Sequence, residues 1–137
     1  MSLLNVFNIA GSGMSAQSLR LNVTASNIAN AESVSSSTNT TYRARQPVFS
    51  AMMDELGDSQ QSIGVKVAGI VESQAPLQQR YEPDNPMANK DGYVFMPNVN
   101  LVEEMANMIS ASRSYQTNVE VVNTTKQLIM KTLALGE

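Results

Sequence analysis

The chain's 137 residues allow one ordinary domain, or two smaller pieces that share a core. A net charge of −3 leaves no broad basic surface for nucleic acid or anionic lipid, and the lack of His and Cys excludes imidazole bases, zinc centres, thiol nucleophiles and disulfide frameworks. Only 15% of residues are charged, while Asn plus Gln number 22 and Ser plus Thr 24, so amides and hydroxyls stand where charges are usual.

The N-terminus lacks a basic region followed by an apolar core, so the sequence predicts no cleaved signal peptide. No window reaches the ~20 apolar residues that span a bilayer. From Leu4, steps of three and four residues pick out Leu4, Phe7, Gly11, Met14, Ser18, Leu21, Ala25 and Ile28, a mostly apolar row that predicts a helix over four heptads. Arg20 is the single charge in the first 31 residues, where average usage would place about eight. A lone surface helix carries charge on its wet face, so this one is expected to have neighbours on several sides, where amides and hydroxyls can be hydrogen-bonded.

Residues 32–41 are almost all Ser, Thr or Asn and read as a loop. Residues 42–53 and 63–71 read as strands, with Gly57-Asp58-Ser59-Gln60-Gln61-Ser62 as a hairpin loop between them. Pro76, Pro83, Pro86 and Pro97 prevent a regular helix over 74–97, which is expected to be an extended arm. Asp91-Gly92 signals a turn before the apolar Tyr93-Val94-Phe95-Met96.

The same three-and-four rule resumes at Leu101 and selects Met105, Met108, Ser112, Tyr115, Val119, Val122, Lys126, Ile129 and Leu133. Asn100 with Glu103 approximates a capping box, Glu103 and Glu104 suit the first turn, and Lys126 and Lys131 suit the later ones. Gly136 is a suitable stop. This helix is on the order of 50 Å long at ~1.5 Å per residue, more than a compact globule of this size needs.

Catalytic groupings are scarce. Adjacent Glu103 and Glu104 diverge by about 100° on a helix and cannot share a proton or metal. Asp54 and Glu55 read as a solvated strand end. Asn89-Lys90-Asp91-Gly92 has part of a calcium-loop pattern, but Met87 would stand where the first carboxylate is required. Gly11-Ser12-Gly13 lacks the strand and lysine of a phosphate-binding loop. Arg43 and Arg45 beside Tyr42 read as exposed charges on alternate strand residues. No cofactor, metal or small-molecule substrate is expected, and the chain is not expected to be an enzyme.

Ala25-Ser26-Asn27-Ile28-Ala29-Asn30-Ala31 resembles the N-terminal signature of the bacterial flagellar axial proteins, the rod, hook and hook-associated family. Tyr81-Glu82-Pro83-Asp84-Asn85-Pro86-Met87-Ala88, Asp91 to Val99, Ala111-Ser112-Arg113-Ser114-Tyr115-Gln116 and Leu133-Ala134-Leu135-Gly136 are similar to a short, proximal-rod member of it. Two local departures stand out: Ala31-Glu32 opens a longer Ser/Thr loop than the signature usually has, and Asn85 occupies a place where His is frequent.

The resemblance implies a structural subunit of the basal-body rod, exported without a cleaved signal by the flagellar type III apparatus and assembled helically around a channel within the periplasm. Its implied partners are further copies of itself, other rod proteins, the adapter between rod and export gate, and the membrane-embedded MS ring. The expected fold class is α+β. Residues 1–31 together with 98–137 form a helical coiled-coil core, with the helices antiparallel, and residues 32–97 form a loop, β-hairpin and extended arm outside it. Subunit packing is expected of Leu4, Phe7, Met14, Leu21, Ala25, Ile28, Leu101, Met105, Met108, Tyr115, Val119, Val122, Ile129 and Leu133. Asn27 and Asn30 are expected to give amide hydrogen bonds to a neighbour or to the chain leaving the helix. A soluble coiled-coil adapter or export chaperone, closed into a small oligomer, is the alternative.

Overall fold

The structure, a computed structural model, describes residues 3–53 and 62–136. Its elements run α1 (Leu3–Asn30), β1 (Arg45–Met53), β2 (Ser62–Glu72), β3 (Gln78–Tyr81), β4 (Tyr93–Met96) and α2 (Leu101–Leu135). The two helices carry most of the chain's length, and both β pieces lie between them in sequence. Of the hairpin loop read at 57–62, only Ser62 lies within the described residues. Asp54 and Glu55 lie outside them.

Helix α1 holds no proline, and its close is local: Ala31 N–H donates to the Ile28 carbonyl and Ser33 N–H to that of Asn30. At the start of α2, Asn100 is extended (φ −95°, ψ 106°) and its side-chain oxygen accepts from the N–H groups of Val102 and Glu103. That satisfies two of the four orphan donors of the first turn. Glu103 supplies no return bond to Asn100, so the cap is half of the box its spacing suggests. At the far end Gly136 N–H donates to Leu133 O at 3.1 Å, and its φ of −92° is right-handed.

The helices pair antiparallel. Arg20 faces Asn107 through a 3.3 Å hydrogen bond, and a Cβ on Gly13 would stand 3.0 Å from the Asn118 amide. This register, carried outward, sets the start of α1 opposite residues around Thr124 to Leu128. The last turns of α2 therefore run past the described start of α1 by about one heptad.

Residues 45–53 and 62–72 form the first sheet, an antiparallel hairpin with irregularities between Val48 and Phe49 and between Met52 and Met53. It lies along α1, tied to Asn27 at one end and to Ser12 at the other. The lengths match: fifteen residues of helix rise about 22 Å, and seven residues of strand from Arg45 to Met52 about 23 Å. At the Ser12 end, Ser12 Oγ accepts from Val65 N–H at 3.0 Å. Gly64 makes the approach close, because with φ +147° its built Cβ would fall 2.5 Å from Ser12 Oγ.

The arm read as extended is instead folded back. Gln78–Tyr81 pairs antiparallel with Tyr93–Met96, and Tyr81 meets Tyr93 edge-on at 5.2 Å. The prolines of this segment occupy the approach to β3 (Pro76), the turn between the strands (Pro83, Pro86) and the junction after them (Pro97), so they do not interrupt the ladder. Asn85 donates to Glu82 Oε2 and accepts from Met87 N–H, while Asn89 accepts from the N–H groups of Asp91 and Tyr93. Gly92 sits at φ +81°, the left-handed conformation that this turn needs. The 32–41 loop packs on the other edge of β4: Ser35 and Phe95 exchange two backbone bonds of 3.0 and 2.9 Å. Val94 between them is wholly buried.

Candidate assembly surface

The buried row of the two helices is not the apolar one. Ala10, Ala16, Val23, Thr24 and Asn27 are the buried residues of α1, and Glu104, Ala111 and Thr125 those of α2. Small side chains let two helices approach closely, and these positions fall mostly one residue before the apolar row, a rotation of about 100°. The apolar row is consequently turned outward. Met14, Leu21, Ile28, Met108, Tyr115, Val119, Val122 and Ile129 are half-buried, and Phe7, Ala25, Leu101 and Met105 are exposed. Leu4 and Leu133 are each 68% exposed, and Leu128, Met130 and Leu135 near the end of α2 are exposed apolar side chains as well.

A polar junction fixes the insert to the helices. Asn27 is 1% exposed; its Nδ2 donates to Arg45 O at 2.8 Å, and its Oδ1 accepts from Arg45 N–H at 3.0 Å and from Tyr42 Oη at 2.8 Å. The amide thus pairs with one residue's backbone as a strand would, and the chain leaving and regaining the helix is its partner. Asn30 bonds back to the Ser26 carbonyl on its own helix. Among the remaining signature residues, Ala31 is half-buried, and Ser26 and Ala29 are exposed.

Asn98, which the sequence did not single out, mirrors Asn27 from the other side. It accepts from Ala44 N–H at 2.8 Å and donates to Ala75 O at 2.9 Å and Ser73 O at 3.3 Å. Arg43 donates to the same two carbonyls, so it serves as structural mortar. Arg45 is exposed, ion-paired with Glu72 at 3.1 Å, and stands 5.4 Å over the Tyr42 ring. Burial pushes the Tyr42 phenol above its ordinary pKa, outweighing the opposing pull of the Arg45 guanidinium. In the β3–β4 turn, the Asn85 hydrogen bond, aided by Arg80, holds Glu82 below the usual carboxylate range. Proline before Asn98 was the one sequence signal that this position leads into a new element.

Among the described residues no three His, Cys, Asp or Glu side chains gather as a metal site. What the molecule offers is surface: two helices with a partly uncovered apolar row each, an overhanging helix end, and an insert hydrogen-bonded to α1 through Asn27 and to the lead-in of α2 through Asn98.

Residues 7–35 match the family described as "Flagella basal body rod protein", and residues 90–135 match "Flagellar basal body rod FlgEFG protein C-terminal". These segments hold α1 with its signature and α2 with its lead-in. Curated proteins are similar over the whole of both chains: "Flagellar basal-body rod protein FlgC" of Salmonella typhimurium and of Yersinia enterocolitica are each 56% identical, and that of Buchnera aphidicola subsp. Schizaphis graminum is 52% identical. Nothing in these likenesses supports the closed-oligomer alternative. With its helices, signature and full length accounted for, the chain belongs to the FlgC family of flagellar basal-body rod proteins, which are structural subunits.

Proposed function

We propose that this subunit assembles helically with further copies of itself to build the proximal segment of the rod, a hollow shaft that transmits torque and conducts exported subunits. Residues 1–31 and 98–137 form the assembling layer, and residues 32–97 form the outer part that braces it. The subunit packing falls to the outward row from Leu4 to Ile28 and from Leu101 to Leu133. The observation that carries this reading is the exposure of that row: Leu4, Phe7, Met105 and Leu133 are uncovered in the single chain. A continuous apolar surface of this kind marks an interaction site.

The other partners follow from position in the same machine: neighbouring rod proteins, the adapter at the export gate, the MS ring and the type III apparatus that delivers the chain, uncleaved, to the periplasm. Leu133→Asp tests the reading, because a residue 68% exposed can be changed without cost to the fold. The variant is expected to be exported and to stay helical, yet to be missing from purified basal bodies and to leave cells non-motile. Ile28→Asp and Met108→Asp are expected to abolish motility with export retained. Normal swimming in all three would sink the interface reading.

A further inference from the structure

Where α1, β1 and the first turns of α2 converge they bound a groove of about 390 Å³. Two polar side chains on its walls are almost wholly withdrawn from solvent: Thr24 of α1 is 4% exposed and Glu104 of α2 is 5% exposed. Among the described residues no hydrogen bond or ion pair meets the Thr24 hydroxyl or the Glu104 carboxylate. A buried hydroxyl without a partner is costly, and a buried carboxylate without one is more costly still.

The donors close by are engaged elsewhere. Arg20, the single charge of α1, donates through Nη2 to Asn107 Oδ1 at 3.3 Å. Arg45 gives Nε and Nη2 to Glu72 Oε1 at 3.2 and 3.1 Å. The Tyr42 phenol is near enough to feel the Glu104 charge, yet its hydroxyl donates to Asn27. None of the chain's four lysines lines the groove.

The charges of the groove state what it would take. Arg45 and Glu72 cancel as a pair, which leaves Arg20 against Glu103 and Glu104, one positive charge against two negative. One incoming cation closes that balance. Its acceptors are oxygens: the Glu104 carboxylate, Thr24 Oγ1, and Asn107 Oδ1 with the lone pair left beside its Arg20 bond. The insert adds an apolar stretch to the lining, Pro47 and Phe49. A compact ammonium on an apolar stem matches both features, because its N–H donors can meet separate oxygens while the methylenes lie along the apolar side chains. A planar, forked guanidinium suits one carboxylate better than three scattered acceptors.

We propose that this groove is a socket for a lysine side chain presented by an adjoining subunit of the rod. The source of the lysine rests on the proposed function; the ammonium site itself does not. Glu104 lacks a partner in the single chain and gains one on assembly. The contact is selective for that reason, since a neighbour without the cation would leave the buried carboxylate unpaired.

The purified full-length chain tests the site. Titration with n-butylammonium chloride, which reproduces the lysine side chain, is followed by NMR at the Thr24 and Asn107 amides. Saturable shifts are expected with a half-point on the order of 10 mM, and n-butanol at the same concentrations should leave both amides unmoved. Glu104→Gln is expected to weaken binding at least about tenfold and Thr24→Val about fivefold. Glu104→Gln should also raise Tm by about 4 °C, because it removes a buried unpaired charge, whereas a purely structural Glu104 predicts a fall.

A titration that never saturates, or that Glu104→Gln leaves unchanged, overturns the proposal. So does a Glu104→Gln chain that melts lower or does not fold. In cells Glu104→Gln is expected to be exported and yet depleted from basal bodies. Its normal entry there would overturn the use of the socket between subunits and leave the rod reading in place. Absence of the parent chain from basal bodies, with the ammonium site intact, would count against the rod reading and against a rod subunit as the source of the lysine.

Discussion

Replacing Asn27 with alanine removes the amide that holds the insert to α1. Three hydrogen bonds of 2.8, 2.8 and 3.0 Å disappear from a side chain that is 1% exposed. At ~1 kcal/mol each the direct loss is about 3 kcal/mol, and the Arg45 backbone groups then face an unfilled polar hole, which adds to it. For a chain of this length the fall in Tm is about 10 °C. Asn27→Asp separates the bonds: it keeps both accepted ones but sets an oxygen against the Arg45 carbonyl, so it isolates the donated bond at the added cost of a charge in a buried site. Tyr42→Phe, which loses one bond, should cost about 1 kcal/mol. The site-specific readout is hydrogen exchange at the Arg45 amide, whose protection should fall about a hundredfold in Asn27→Ala. Unchanged protection there, with unfolding within 1 kcal/mol of the parent, would refute the idea that this amide is the insert's anchor.

Gly64→Ala should destabilise by about 2–3 kcal/mol, because φ +147° is strained for any side chain and the new methyl group meets Ser12 Oγ; denaturant unfolding checks it, and a neutral result would mean that the hairpin does not sit on Ser12. Glu82, with its pKa depressed in the folded state, contributes order to the β3–β4 turn above its unfolded value of 4.5, and this is lost as pH falls through the depressed value. The Asn85 side-chain amide resonance should report that titration, and an Asn85→Ala variant should move it back up. The Tyr42 phenol, raised in the folded state, contributes below its unfolded value of 10.0 and loses that contribution as pH rises through the folded one. Ultraviolet titration of the parent against Tyr42→Phe should show a tyrosine that ionises later than a free phenol side chain, and ionisation at or below the ordinary value would contradict the burial seen.

Both helices were legible because a period near 3.6 written in Leu, Met, Ile and Val survives any context. The seam between them was not, since hydrophobicity ranks the outer row above Ala10, Ala16, Thr24 and Ala111, and close approach of small residues leaves no mark on an apolar count. The first hairpin showed in the alternation of Ile63, Val65 and Val67. The second sheet did not: Gln78-Gln79-Arg80-Tyr81 is exposed at every position, so its strand character comes wholly from pairing with Tyr93–Met96. For Asn27 the pattern left two destinations for the amide, a neighbour or the chain leaving the helix. The chosen partner lies 18 residues on, beyond the reach of any local pattern. Glu104 read as an ordinary first-turn acid, and only packing revealed that it is buried.

The Asn27 anchor also bears on how the chain tolerates change. It ties position 27 to positions 42 and 45, closing the excursion between them into a loop whose two ends are held whatever lies inside. The entropy of such a loop grows only by about 0.6 kcal/mol for each doubling of its length. The extended Ser/Thr stretch that departs from the familiar signature is therefore inexpensive, and its exposed crest at Thr38-Asn39-Thr40 can lengthen without moving the hairpin or the helices. That crest is a natural place to graft a peptide label without touching either helix.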